Sequence, residues 1–215
     1  MTDSKTVLDF WFVELHPKQH WIKDPKLDDE IKTRFERTLI QAKACELFEW
    51  RKNPKGRLAE IIVLDQFSRN IYRGLPESFI ADPQALTLAQ EAVTGGHDEL
   101  ELLEKAFLYM PFMHSESLLI QDQSVRLFEN LGNQNNLDYA IKHREVIQRF
   151  GRFPHRNSIL ARPSVSAMRN ISSKAVSIFS EMTTSAPKAL ARLTRKGFAV
   201  LCMTTFAFTS RALLA

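Results

Sequence analysis

Residues 24–42 read DPKLDDEIKTRFERTLIQA. Asp24-Pro25 has the form of a helix start, because an aspartate side chain caps exposed amides and proline at the first helical position gives up no needed hydrogen bond. Behind it Leu27, Ile31, Phe35, Leu39 and Ala42 recur at spacings of four, four, four and three, the period of one helix face. The stretch predicts an amphipathic helix that must bury this face against other helices.

The same opening recurs at Asn53-Pro54 and Asp82-Pro83. Leu58, Ile61, Ile62 and Leu64 follow the first; Ala85, Leu86, Ala89, Ala92 and Val93 follow the second, with Gly95-Gly96 as a stop. Leu100, Leu103, Phe107, Leu108 and Met110 predict a further helix that Pro111 breaks, and Ser115 reads as the cap of a helix running to Leu131 and Gly132. Leu137, Ile141, Val146 and Ile147 predict one more, ended by Gly151. No window alternates with β-branched residues in the manner of a strand. The expectation is an all-α fold of antiparallel helix pairs stacked in sequence, with no repeat of fixed spacing.

The 215 residues, 44% hydrophobic and 25% charged, suffice for one core. Cys45 and Cys202 match no metal or redox spacing, which points to a reducing compartment. Asp3, Asp9 and Glu14 stand where a signal peptide would be basic and then apolar, so the expected location is the cytoplasm. The net charge of +4 is unevenly distributed. Residues 161–215 hold eight bases and one acid, Glu181, whereas residues 1–160 hold 21 bases and 24 acids. A mildly acidic body is a poor partner for a phosphate backbone, so no nucleic-acid binding is expected.

The texture changes near residue 161. Ser and Thr number 14 in the last 55 residues and 13 in the first 160. The expected division is a helical domain over 1–162 and an atypical basic, Ser/Thr-rich tail over 163–215. Arg192, Arg195 and Lys196 precede a mostly apolar end, but its uninterrupted run is short of the ~20 residues a membrane span needs. A tail anchor is therefore the weaker reading.

Three polar constellations interrupt the apolar pattern. In Asp65-Gln66-Phe67-Ser68-Arg69-Asn70, Asp65 and Arg69 share a helix face. One reading is a simple helix-end ion pair; the other turns Arg69 and Asn70 into a cavity, with Asp65 or Gln66 orienting the guanidinium. In Pro111-Phe112-Met113-His114-Ser115-Glu116, His114 is an acid or base near neutrality if Glu116 or another carboxylate tunes it. The alternative is a local capping motif. The third, His143 to Asn157, gathers His143, Arg152, His155, Arg156 and Asn157 around Phe153-Pro154. Guanidinium forks there suit a carboxylate or phosphate, and a structural salt-bridge network competes with that reading.

His16 and His20 flank Pro17 with no suitable third ligand, and no phosphate-cradling glycine loop or cofactor motif occurs, so neither metal nor cofactor is expected. Trp11, Trp21 and Trp50, with Phe10 and Phe12, read as core or groove anchors.

Together, Val7-Leu8-Asp9-Phe10-Trp11-Phe12, Leu64 to Asn70, Tyr109 to Glu116 and the His143 to Asn157 segment resemble the bacterial family catalogued as domain of unknown function 924. The resemblance covers residues 7 to about 162. It implies a helical fold similar to tetratricopeptide-repeat proteins and no established activity. Ser68 stands where the family usually has proline. Residues 163–215 depart from the family's acidic ending, which fits a reading-frame shift near Arg162 and a poorly packed tail.

The functional expectation is a polar pocket for a small anionic molecule. His114, Glu116, His143 and His155 are the acid or base candidates; Asp65, Arg69, Asn70, Arg152, Arg156 and Asn157 are the ligand-holding candidates. The alternative is a repeat-like module that offers a groove to a peptide or protein, without catalysis.

Overall fold

The computed structural model describes residues 2–163. Sequence expectations that fall on the remaining tail, including its packing and the tail anchor, lie outside the described residues. All regular structure among the described residues is helical. Helix α1 (Ser4–Asp9) continues as a π-helical turn over Phe10–Glu14, and α2 spans Pro25–Lys43. Helix α3 (Pro54–Ile62) passes through a second π-helical turn, Val63–Phe67, into α4 (Ser68–Ile71). There follow α5 (Glu77–Ile80), α6 (Asp82–Gly95), α7 (Leu102–Met113), α8 (Leu118–Leu131) and α9 (Gln134–Phe150). No described helix is long and apolar enough to cross a membrane.

The α2 stripe is wholly internal: Leu27, Ile31, Phe35, Leu39 and Ala42 are all buried. At about 1.5–3 kcal/mol for each large side chain, this face is what commits the segment to a helix in this place. Phe35 meets Phe10 at 4.9 Å between ring centroids and Phe67 at 4.8 Å, while Trp11 meets Phe107 edge-on at 5.6 Å. The N-terminal aromatics are therefore core anchors. Asp24 and Asn53 cap as expected, accepting from the Lys26 and Gly56 amides at 3.0 and 2.8 Å. Gly132 and Gly151, with φ of 75° and 67°, end α8 and α9 in the left-handed region that favours glycine.

Three local expectations are corrected. Pro111 does not break its helix: α7 runs on to Met113, and the His114 amide still closes on the Met110 carbonyl at 2.9 Å. Burial of every residue from Ala106 to Met113 outweighs the one backbone bond that proline removes. The cap position of α8 is Ser117, and the Ser115 hydroxyl instead accepts from the Ser117 amide at 3.2 Å. Asp82 is already the first residue of α6 and caps nothing, because its carboxylate is committed elsewhere.

Gly56 sits where the first turn of α3 presses on the Trp50 backbone; a Cβ there would lie 1.9 Å from the Trp50 carbonyl oxygen. Backbone cannot yield as a flexible side chain can. Gly56→Ala is expected to destabilise the protein by about 2 kcal/mol or more, read as a lowered urea midpoint at unchanged slope.

Candidate functional site

The π-helical turn Val63–Phe67 places Asp65 and Gln66 side by side inside the protein, exposed by only 1% and 8%. One turn on, α4 presents Arg69, whose Nη1 lies 2.9 Å from Asp65 Oδ1 and also donates to the Asp65 carbonyl at 2.7 Å. The i,i+4 pair read from the sequence is therefore formed. The end of α7 supplies His114, whose Nδ1 is 2.8 Å from the same Asp65 Oδ1, while the Gln66 amide donates to Oδ2 at 2.5 Å. A carboxylate so surrounded keeps its charge. Burial alone pushes the Asp65 carboxyl up, but Arg69 and His114 outweigh it and hold the group at about 2.

Asp82, at the start of α6, is the second anion. It takes Arg69 Nη2 at 3.0 Å and Arg156 Nη1 at 3.1 Å, bridging the two guanidiniums. Arg156 Nη2 donates to the His114 carbonyl at 3.0 Å. Its guanidinium carbon lies 4.5 Å from the Phe79 ring centroid and 4.7 Å from that of Phe153, so two aromatic faces fix it. Burial, with Arg69 nearby, lowers Arg156 to about 10, which leaves it cationic at neutral pH. Among the described residues one edge of this held group is unused: Nε is buried and without an acceptor, and next to it in the chain the buried Asn157 Oδ1 is without a donor.

His143 and His155 flank Phe153, each at 5.6 Å between ring centroids. His143 Nδ1 donates to the Tyr139 carbonyl at 2.8 Å. Burial pushes both imidazoles down to about 3, with the Arg156 charge helping, so both are neutral at ordinary pH. His114 is likewise lowered, first by burial and then by Arg69, against the opposing pull of Asp65. About a fifth of its side chain, 19%, remains exposed. With Asp65 ionised, Nδ1 carries the proton, and Nε2 holds a lone pair that makes no hydrogen bond among the described residues.

The structure thus gathers Asp65, Arg69, His114, His143, His155, Arg156 and Asn157 in one region. Glu116 is turned away: it accepts the Phe153 amide at 2.9 Å and pairs with Arg162 at 2.7 Å, clamping the segment around the 3₁₀ turn Pro154–Arg156, the C-terminal turn of the described residues. The carboxylate that partners His114 is Asp65. Asn70 donates to Asp28 at 2.8 Å, in a separate group with Arg73. Arg152 makes no contact with the cluster among the described residues. Asp82 was missed because Asp-Pro carries the signature of a cap and nothing in the sequence shows that its side chain turns to two arginines. A separate hollow of about 310 Å³, lined by Arg51, Arg57, Glu60, Leu88, Glu91 and Gly95, lies between α3 and α6.

A family model described as "Bacterial protein of unknown function (DUF924)" matches residues 7–171. A solved structure of a protein of unknown function from Agrobacterium tumefaciens is similar at 35% identity and a TM-score of 0.74, covering 78% of this chain and 95% of that one. No curated protein matches.

The buried imidazoles imply acid sensitivity. An unfolded histidine titrates near 6.5, while His143 in the folded protein titrates near about 3. The unfolded chain therefore binds more protons between these values, and stability is lost as pH falls from 6.5 towards 3. His155 adds to the same window, whereas Asp65, already lowered, contributes its loss only below its ordinary 3.8. Urea midpoints are expected to drop steadily below about pH 6.5, and His143→Gln is expected to make that drop shallower by about one proton.

Proposed function

The chain belongs to the bacterial family of unknown function DUF924, and within it we propose that this chain carries an acid–base site for a small anionic ligand. The observation that supports this most is the Asp65–His114 pair, with Nδ1 engaged and Nε2 without a hydrogen bond among the described residues. A neutral imidazole whose far nitrogen is tied to an ionised carboxylate is a competent base. It accepts a proton at Nε2, and the carboxylate stabilises the imidazolium that results. Arg69 and Arg156 supply the positive side of the site. His143 and His155, neutral and packed on Phe153, shape the wall behind them.

A second reading has an observation of its own. Arg69 and Arg156 already share Asp82, so the cluster also fits a purely structural network that ties α4, α6, α7 and the C-terminal turn together. The interaction-module alternative has less support, because, of its candidate anchors, Phe10 and Trp11 are buried in the core and Phe12, Trp21 and Trp50 are half-buried against it.

Native mass spectrometry of the full chain after incubation with the small-molecule fraction of a bacterial lysate separates the two main readings. The expected result is a retained anionic metabolite that Arg156→Lys loses while its urea midpoint stays within about 1 kcal/mol of the parent's. A parent chain that retains nothing, beside an Arg156→Lys variant that is merely less stable, makes the network structural.

A further inference from the structure

We propose that the hollow between α3 and α6 binds a free amino acid with an aliphatic side chain, its carboxylate on Arg57 and its ammonium on Glu91. This site is separate from the Asp65–His114 cluster and stands or falls without it.

The hollow holds about 310 Å³, at the small end of the range of about 300–1,000 Å³ in which metabolite pockets fall. Leu88, Glu91 and Gly95 recur along α6 at spacings of three and four and so share the face that lines it. Arg57 and Glu60, three apart on α3, line it from the other side, and Arg51 joins them from the 3₁₀ turn Phe48–Lys52.

Two of the four charges are spent on each other. Glu60 is fully buried and takes Arg51 in a fork, Nε at 2.7 Å and Nη2 at 2.6 Å. The other two are not. Arg57 has no carboxylate partner among the described residues: its Nε donates to the Arg51 carbonyl at 2.8 Å, its Nη1 to the Gly96 carbonyl at 3.4 Å, and its Nη2 to nothing. Exposed Glu91 makes neither a hydrogen bond nor an ion pair among the described residues. Opposite charges thus line one hollow without closing on each other. An anion alone would answer Arg57 and be repelled by Glu91, and a cation alone would meet the reverse, whereas a guest that carries both charges answers both.

The spacing selects an amino acid. The two carbonyls hold the Arg57 guanidinium against Gly95, where a Cβ would lie 3.5 Å from Nη1 and 4.0 Å from the guanidinium carbon. Positions four apart on a helix lie about 5–6 Å from each other, so Glu91 leaves α6 one turn from the spot that Arg57 touches. A carboxylate and an ammonium borne on one carbon suit that span. Leu88, one turn beyond Glu91, is the apolar residue of the lining and meets the aliphatic side chain. Glycine at 95 keeps the carboxylate's place free, because a longer side chain there would project towards Arg57.

L-Leucine is the probe, beside 4-methylpentanoate, which lacks the ammonium, and 3-methylbutylamine, which lacks the carboxylate. Binding is followed on ¹⁵N-labelled full-length protein through the Arg57 Nε–H and the Gly95 and Gly96 amides. Leucine is expected to shift these signals, and each analogue to bind about tenfold or more weakly. Glu91→Gln removes an exposed charge that bonds to nothing in the fold; it is expected to reduce leucine to the affinity of 4-methylpentanoate while leaving 4-methylpentanoate no weaker than before. Gly95→Leu should abolish binding of all three. Leucine that shifts none of these signals up to about 10 mM overturns the site. Analogues that bind as well as leucine, or a Glu91→Gln variant that binds leucine as the parent does, overturn the assignment of the two ends.

Discussion

The buried carboxylate of Asp65 is the constraint around which this structure is arranged. An ionised group with 1% of its surface in water is expensive unless every lone pair is used, and here a histidine, an arginine and a glutamine all converge on it. The local backbone follows from that need. In a regular α-helix Asp65 and Gln66 would point about 100° apart. The wider π-helical turn over Val63–Phe67 lets both reach inward while Arg69 still arrives one turn later. The same carboxylate reaches His114 across 49 residues of sequence, which fastens the end of α7 to the α3–α4 bend. Asp82 repeats the device at the start of α6, and through Arg156 it brings in the C-terminal turn.

The parts of this arrangement that were legible in the sequence are those governed by local periodicity. The α2 stripe, the Asp24 and Asn53 caps and the glycine stops all obey rules that need only four or five neighbouring residues. The Asp65–Arg69 pair belongs to the same class, being set by one helical turn. Choices among long-range partners were not legible. Glu116 is two residues from His114 and was the natural carboxylate to tune it, yet α7 ends at Met113 and the reversal that follows carries Glu116 to the Phe153 amide and Arg162. Pro111 failed as a breaker for a related reason, since α7 is buried from Ala106 to Met113 and tertiary packing overrides the local preference. The family resemblance placed the four motifs correctly within a helical fold and was silent on which residues meet.

A network selected only for stability would be an odd solution here. Replacing a buried ionic cluster by apolar side chains of similar volume is often neutral or stabilising, so such clusters are a costly way to hold helices together. This one also leaves capacity idle. Arg156 is immobilised between two rings and by two acceptors, yet among the described residues its Nε has no acceptor. Among the described residues the Asn157 Oδ1 beside it has no donor, and His114 Nε2 makes no hydrogen bond while Nδ1 is fixed. Unpartnered buried atoms also occur at Trp11, Gln121 and Ser124, so what sets this cluster apart is an ionised Asp65 that fixes one nitrogen of a neutral imidazole.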